Sequence, residues 1–202
     1  MLVVENADDA VPVAQALLDA GVNAMELTLR TPAAIESLRR IRTEVPEIVA
    51  GIGTVLTPEQ LEDVAKAGAQ FAVAPGTNPR VIKAAQDLGI PFAPGVATPS
   101  DIELAVELGC RELKFFPAET SGGLKHLKSM AAPYAHLGLR YIPLGGVNAD
   151  NLQTYLEDPL ILAVGGSWLA KRDAIEQHDW DGIRGRASTA MEIARQARKQ
   201  NE

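Results

Sequence analysis

Cysteine is nearly missing from this chain of 202 residues. Cys110 stands alone, so no intrachain disulfide can form and a reducing, cytoplasmic compartment is expected. Histidine is almost as scarce. His126, His136 and His178 show no metal-ligand spacing and no acidic residues cluster with them, so neither a metal nor a metal-dependent mechanism is expected. A basic excess is missing too: the formal net charge is −7 and the sequence pI is near 5.1. With lysines and arginines dispersed along the chain, non-specific nucleic-acid binding is excluded, and any anionic ligand must be held by a local site. No apolar run is long enough to span a bilayer, and Met1-Leu2-Val3-Val4-Glu5 has neither the charged n-region nor the apolar h-region of a signal peptide. A soluble protein without membrane partners is expected. Nor does a Gly-x-Gly-x-x-Gly turn open a helix after the first strand, which removes the main support for a dinucleotide cofactor and its fold.

What is present is 47% hydrophobic residues, enough for one substantial core in a single domain covering residues 1–202. A rhythm recurs at Gly21, Gly68, Gly89, Gly109 and Gly138, where an amphipathic segment ends at glycine and a short apolar run follows. That is helix, glycine cap, strand. The strand candidates are Leu2–Val4, Ala24–Leu29, Ile48–Ile52, Phe71–Ala74, Phe92–Val96, Glu112–Phe115, Arg140–Pro143 and Ile161–Val164. Helical patterns begin near Asp8, Pro32, Pro58, Asn78, Thr98, Gly122 and Ala149, and a last one covers Asp179–Lys199. Several open with a capping side chain before proline. Alternating α/β units at this spacing predict a compact (β/α)8 barrel, the TIM-barrel architecture, rather than an open doubly wound sheet. Little precedes Leu2, so a shortened first strand and a barrel floor without a covering helix are expected.

Within Glu112-Leu113-Lys114-Phe115-Phe116-Pro117 a cation interrupts an apolar run. A lysine on an edge strand can snorkel to solvent, but a strand buried on both faces normally carries no charge. Burial disfavours the ammonium. The neutral amine is a nucleophile toward carbonyl carbon, and at a reference pKa of about 10.4 only roughly one lysine in a thousand is neutral near pH 7.5. In Met25-Glu26-Leu27-Thr28-Leu29-Arg30, period-two geometry sends Glu26, Thr28 and Arg30 to one face, expected to be the barrel interior. Glu26 can move protons there and Arg30 can clamp a carboxylate. Gly51-Ile52-Gly53-Thr54 lets a ligand approach the backbone and adds a hydroxyl. Ala74-Pro75-Gly76 and Pro94-Gly95-Val96 read as tight turns. Gly145-Gly146 and Gly165-Gly166-Ser167 follow the seventh and eighth strands, where barrels of this kind hold phosphate on backbone N–H groups beside a helix start. Residue chemistry alone leaves open a phosphate-binding isomerase or epimerase, and a non-catalytic sugar-phosphate sensor.

Taken in order, Glu26-Leu27-Thr28-Leu29-Arg30-Thr31, Gly51-Ile52-Gly53-Thr54-Val55-Leu56, Lys114-Phe115-Phe116-Pro117-Ala118-Glu119, Gly145-Gly146-Val147 and Gly165-Gly166-Ser167-Trp168 resemble the 2-keto-3-deoxy-6-phosphogluconate (KDPG) and 4-hydroxy-2-oxoglutarate (KHG) aldolases over nearly the whole chain. The resemblance implies a cofactor-independent class I lyase releasing pyruvate and an aldehyde. It implies Schiff-base formation by Lys114, proton transfer by Glu26, and binding of the pyruvate end by Arg30, Thr54, Pro75 and Phe116. Phosphate would lie on Gly145, Gly146, Gly165, Gly166 and Ser167, and the assembly would be a homotrimer. Leu144 departs from the threonine that phosphogluconate-cleaving members commonly carry there, which leaves the galactonate-derived epimer as an alternative substrate.

Overall fold

The computed structural model describes residues 1–199; residues 200–202 of the expected domain lie outside the described residues. Among the described residues seven strands form, all parallel to their neighbours: β1 (Ala24–Thr28), β2 (Val49–Gly53), β3 (Ala72–Val73), β4 (Phe92–Ala93), β5 (Gly95–Val96), β6 (Glu112–Phe115) and β7 (Arg140–Pro143). The flanking helices are α1 (Ala10–Asp19), α2 (Ala34–Glu44), α3 (Pro58–Lys66), α4 (Pro79–Leu88), α5 (Pro99–Glu107), α6 (Gly123–Ala131), α7 (Ala149–Leu156), α8 (Arg172–Glu176) and α9 (Trp180–Lys199).

The ladder runs β1-β2-β3-β4 and then β5-β6-β7. Its break lies within one stave: Pro94 has no N–H to give, so the fifth expected strand splits into β4, which pairs with β3, and β5, which pairs with β6. The first and last expected strands are reduced to bridges, Leu2 to Leu27 at one side and Ile161 to Tyr141 with Gly165 to Leu144 at the other. Eight staves in sequence order make a (β/α)8 barrel. Among the described residues no backbone hydrogen bond joins the eighth stave to the first. That seam is covered from outside by α9, which packs on both α1 and α7.

Local sequence explains the helix starts. Thr57 with Gln60 and Thr98 with Asp101 form reciprocal capping boxes, each followed by proline in the first turn, and Asn78 caps α4. Thr31-Pro32 differs: the Thr31 hydroxyl donates to the Val4 carbonyl at 2.6 Å, tying down the first stave, and α2 starts later, at Ala34. Helices end as the glycine rhythm predicts, Gly89 closing α4 with φ 67°. The short helix α8 is not foreseen in the sequence.

Apolar side chains between staves and helices form two core clusters. One gathers around the first four staves, with Leu27, Leu38, Ile41 and Ile52 buried; the other around the rest, with Leu113, Phe115, Tyr141 and Leu152 buried. Each fully buried leucine or isoleucine contributes roughly 1.5–3 kcal/mol. Because these residues alternate with inward-facing ones, outer packing fixes which side chains enter the barrel.

The reading of Pro94-Gly95-Val96 as a tight turn is corrected: Gly95 is strand, pairing with Lys114, and a Cβ there would lie 2.2 Å from the backbone of Pro75. Gly95→Ala is therefore expected to lower stability in urea by at least about 2 kcal/mol. Gly76→Ala, where a Cβ meets nothing within 4 Å, should leave the unfolding midpoint in place.

Candidate active site

Leu113 and Phe115 are locked into the outer core, so Lys114 between them must point inward. Its side chain is not at an edge and does not snorkel: the residue is 5% exposed. Glu26, 8% exposed, enters from β1 by the same alternation, between the outward Met25 and Leu27. The second and sixth staves stand opposite each other, and Lys114 Nζ reaches Glu26 Oε1 across the interior at 3.3 Å. Phe116 lies alongside, its ring centroid 5.5 Å from Nζ, close enough for a cation–π contact. A cavity of about 430 Å³ runs from this pair toward the stave starts and is lined mainly by apolar residues, among them Val49, Val73, Ala93, Ile142 and Leu144; Arg30, Thr54, Pro75 and Phe116 do not line it. An amine and a carboxylate in such a chamber can add to a carbonyl carbon and move the accompanying protons.

The glycines of β2 have a different use from the one expected. A Cβ at Gly53 would stand 1.7 Å from Glu26 Oε1, and one at Gly51 would meet the Phe71 ring at 2.5 Å. The missing side chains make room for other side chains, and the expected close approach of ligand to this backbone is replaced by a seat for the carboxylate. Thr54 follows with φ 62°, a left-handed conformation rare for a β-branched residue and costing on the order of 1–3 kcal/mol. Arg30 lies just beyond β1, exposed, with Nε donating to the Thr28 hydroxyl at 3.3 Å and Nη2 3.6 Å from Met1 Sδ. Among the described residues it has no carboxylate partner. Pro75 is exposed at a bend and backs onto Gly95.

A second cavity of about 200 Å³ shares Met1, Leu144 and Gly165 with the first and brings together Gly145, Gly146, Gly166 and Ser167. Among the described residues the backbone N–H groups of these four make no hydrogen bond within the chain. Gly145 and Gly146 take φ 95° and 86°, which glycine adopts without strain, and α7 begins just after them, capped by Asn148 with Asn151. For Gly165-Gly166-Ser167 the expected neighbouring helix start is absent, since the next helix, α8, begins only at Arg172. Sequence reading missed Glu119 and Tyr155, which meet behind this turn; their contact is non-local and leaves no periodic signal. The cap spacing of Asn148 and Asn151 could have been read. No three His, Cys, Asp or Glu side chains gather as a metal cluster among the described residues, and no helix there is long and apolar enough to cross a membrane.

The family described as KDPG and KHG aldolase matches residues 1–185. A KHG/KDPG aldolase of Escherichia coli K12 is 44% identical over 195 residues, covering 96% of this chain and 91% of the relative. A KDPG aldolase from Legionella pneumophila, solved with pyruvate captured at low pH as a covalent carbinolamine intermediate, superimposes with TM-score 0.90 at 37% identity, covering 94% of this chain and 91% of the other. A solved structure named native KDPGal is more distant, at 28% identity and TM-score 0.87, covering 98% of this chain and 94% of the other.

Gly53→Ala should push the Glu26 carboxylate off its seat while leaving the outer packing untouched. Borohydride trapping of a small 2-keto acid on Lys114 is expected to slow by roughly 10²-fold with an unchanged far-UV circular dichroism spectrum. Equal trapping rates would show that the placement of the carboxylate does not matter.

Proposed function

The chain belongs to the KDPG and KHG aldolase family, and on that premise we propose that it is a class I aldolase cleaving KDPG reversibly to pyruvate and glyceraldehyde 3-phosphate, its whole length acting as one catalytic barrel. The observation that carries this reading is the buried pair, Lys114 Nζ 3.3 Å from Glu26 Oε1, at the head of an apolar chamber. Glu26 takes a proton from the Lys114 ammonium, and the freed amine attacks the keto carbon C2. The carbinolamine then loses its hydroxyl as water with the proton that Glu26 returns, leaving a protonated imine. Glu26, again a carboxylate, removes the C4 hydroxyl proton directly or through one water. The C3–C4 bond breaks, its electrons pass into the iminium to give an enamine, and the aldehyde departs. Glu26 delivers the proton to C3, and water hydrolyses the resulting iminium to pyruvate and the starting ammonium. The iminium is the electron sink, so the cycle calls for no metal and no cofactor.

Arg30, with no acidic partner among the described residues, would hold the substrate carboxylate, with the Thr54 hydroxyl, Pro75 and Phe116 at the pyruvate end. The free N–H groups of Gly145, Gly146, Gly166 and Ser167 would take the phosphate. No lysine or arginine among the described residues lines that cavity, so the backbone would carry the contact. The gluconate-derived substrate is favoured over the galactonate-derived one because the 44% identical relative is named for KHG and KDPG, whereas the KDPGal structure is 28% identical. Homotrimeric assembly and a cytoplasmic compartment complete the reading, the latter supported by the single cysteine.

Treatment with pyruvate and borohydride should add one reduced pyruvyl group to Lys114, and none in Lys114→Arg. Glu26→Gln should still accept the adduct while kcat falls by about 10²–10⁴-fold. An adduct on another lysine, or none, would overturn the reading. At position 144 a buried leucine lines both cavities and offers no hydrogen bond to a substrate hydroxyl. Leu144→Thr is expected to change the ratio of kcat/KM for the gluconate- and galactonate-derived epimers, since a partner for a hydroxyl restores discrimination. An unaltered ratio in pyruvate-release assays would remove position 144 from the specificity argument.

A further inference from the structure

The turn that carries Gly145, Gly146 and Val147 is anchored on one side only. The Ala118 N–H donates to the Leu144 carbonyl at 2.7 Å and the Glu119 N–H to the Gly145 carbonyl at 2.9 Å. The side-chain amides of Asn148 and Asn151 both donate to the Gly146 carbonyl, at 3.3 and 3.2 Å. In a trans peptide the carbonyl of one residue and the N–H of the next point in opposite directions. Fixing three successive carbonyls toward the protein therefore turns the N–H groups of Gly145, Gly146 and Val147 the other way, and none of the three donates within the chain among the described residues. All three residues line the smaller cavity.

The scaffold behind this arrangement is a contact between the loop after β6 and the far end of α7. Asn148, Asn151 and Tyr155 fall on one face of the helix by their spacing. The two asparagines grip Gly146, and the Tyr155 hydroxyl donates to Glu119 Oε1. Glu119 in turn lies against the turn: a Cβ at Gly146 would come within 2.5 Å of Glu119 Cβ. Tyr155 is buried, and desolvation together with the Glu119 carboxylate pushes its phenol well above the ordinary range, so it remains a hydrogen-bond donor at every physiological pH. The Glu119 carboxylate is thereby held on the helix side of the turn.

We propose that Glu119 and Tyr155 are positioning residues for anion binding, clamping the Gly145–Val147 turn between the lysine-bearing stave and α7 so that its free N–H groups form a cradle. This rests on the phosphate-binding part of the proposed function and adds what sets the cradle's geometry. Neither residue lines either cavity. The clamp acts on the phosphate end of the substrate and leaves the Lys114–Glu26 pair as it is.

The test uses the full-length protein and inorganic phosphate as probe, followed by amide chemical shifts of Gly145, Gly146 and Val147. Phosphate should move these amides in the wild type. In Tyr155→Phe, which keeps the ring in the core, the phosphate Kd and the KM for KDPG should rise about tenfold, with kcat and the KM for unphosphorylated KHG nearly unchanged. Glu119→Gln keeps an acceptor for Tyr155 and should retain wild-type affinity, whereas Glu119→Ala should behave as Tyr155→Phe does. Wild-type phosphate affinity in Tyr155→Phe, or equal losses with KDPG and KHG, would overturn the positioning role while the phosphate reading stands. Wild-type amides that ignore phosphate would overturn the phosphate reading, and this inference with it.

Discussion

An ammonium and a carboxylate facing each other inside a barrel form an expensive arrangement. Removing each from water costs several kcal/mol even after relaxation, and mutual attraction at 3.3 Å repays this only with good geometry. Such a pair is weak evidence of a stability device, since apolar residues of similar volume commonly do as well. The rest of the structure can be read as what is needed to keep Lys114 and Glu26 where they are. Outer packing of Leu113 and Phe115 against one cluster, and of Met25 and Leu27 against the other, leaves neither charged side chain an outward alternative.

Two kinds of polar work are separated along the interior. The proposed reaction pair would work by side-chain charge beside an apolar chamber, where a few atoms must approach closely. The proposed cradle near the seventh and eighth staves would work by backbone N–H groups, in a cavity that no Lys, Arg, Asp or Glu among the described residues lines. This division suits a chain of net charge −7, whose overall field does not attract anions. Oriented dipoles can bind an anion at short range and would leave the Lys114–Glu26 pair without a competing cation. Leu144, lining both cavities, is the apolar partition between the two regimes.

Much of this was legible in the sequence because it depends on local or periodic signals. Cap chemistry at Thr57, Asn78, Thr98 and Asn148, the glycine endings, and the period-two alternation around Glu26 each act within a few residues. The (β/α)8 order follows from them, and so does the inward direction of Glu26 and Lys114. What stayed hidden was non-local. Pro94 breaks a stave that hydrophobicity alone reads as continuous. Gly53 looks like a ligand-approach glycine until its partner in the neighbouring stave is known to be the Glu26 carboxylate. Thr31 looks like a helix cap until the Val4 carbonyl is found beside it. Glu119 and Tyr155 lie on different elements, and only packing reveals that they meet.

The glycine pattern shows why sequence and structure diverge where they do. A glycine can be required for its own backbone angles or for the space that its missing side chain leaves. The first is a local property, and Gly89 and Gly145 display it through positive φ. The second is a property of whatever lies opposite, as at Gly51, Gly53 and Gly95, none of which has positive φ. Around the Lys114–Glu26 pair the second kind dominates, because large polar groups from different staves share a narrow interior. Residues that shape an active site by their absence are therefore the last to be recognised from sequence, and the first whose replacement displaces a working group without disturbing the fold around it.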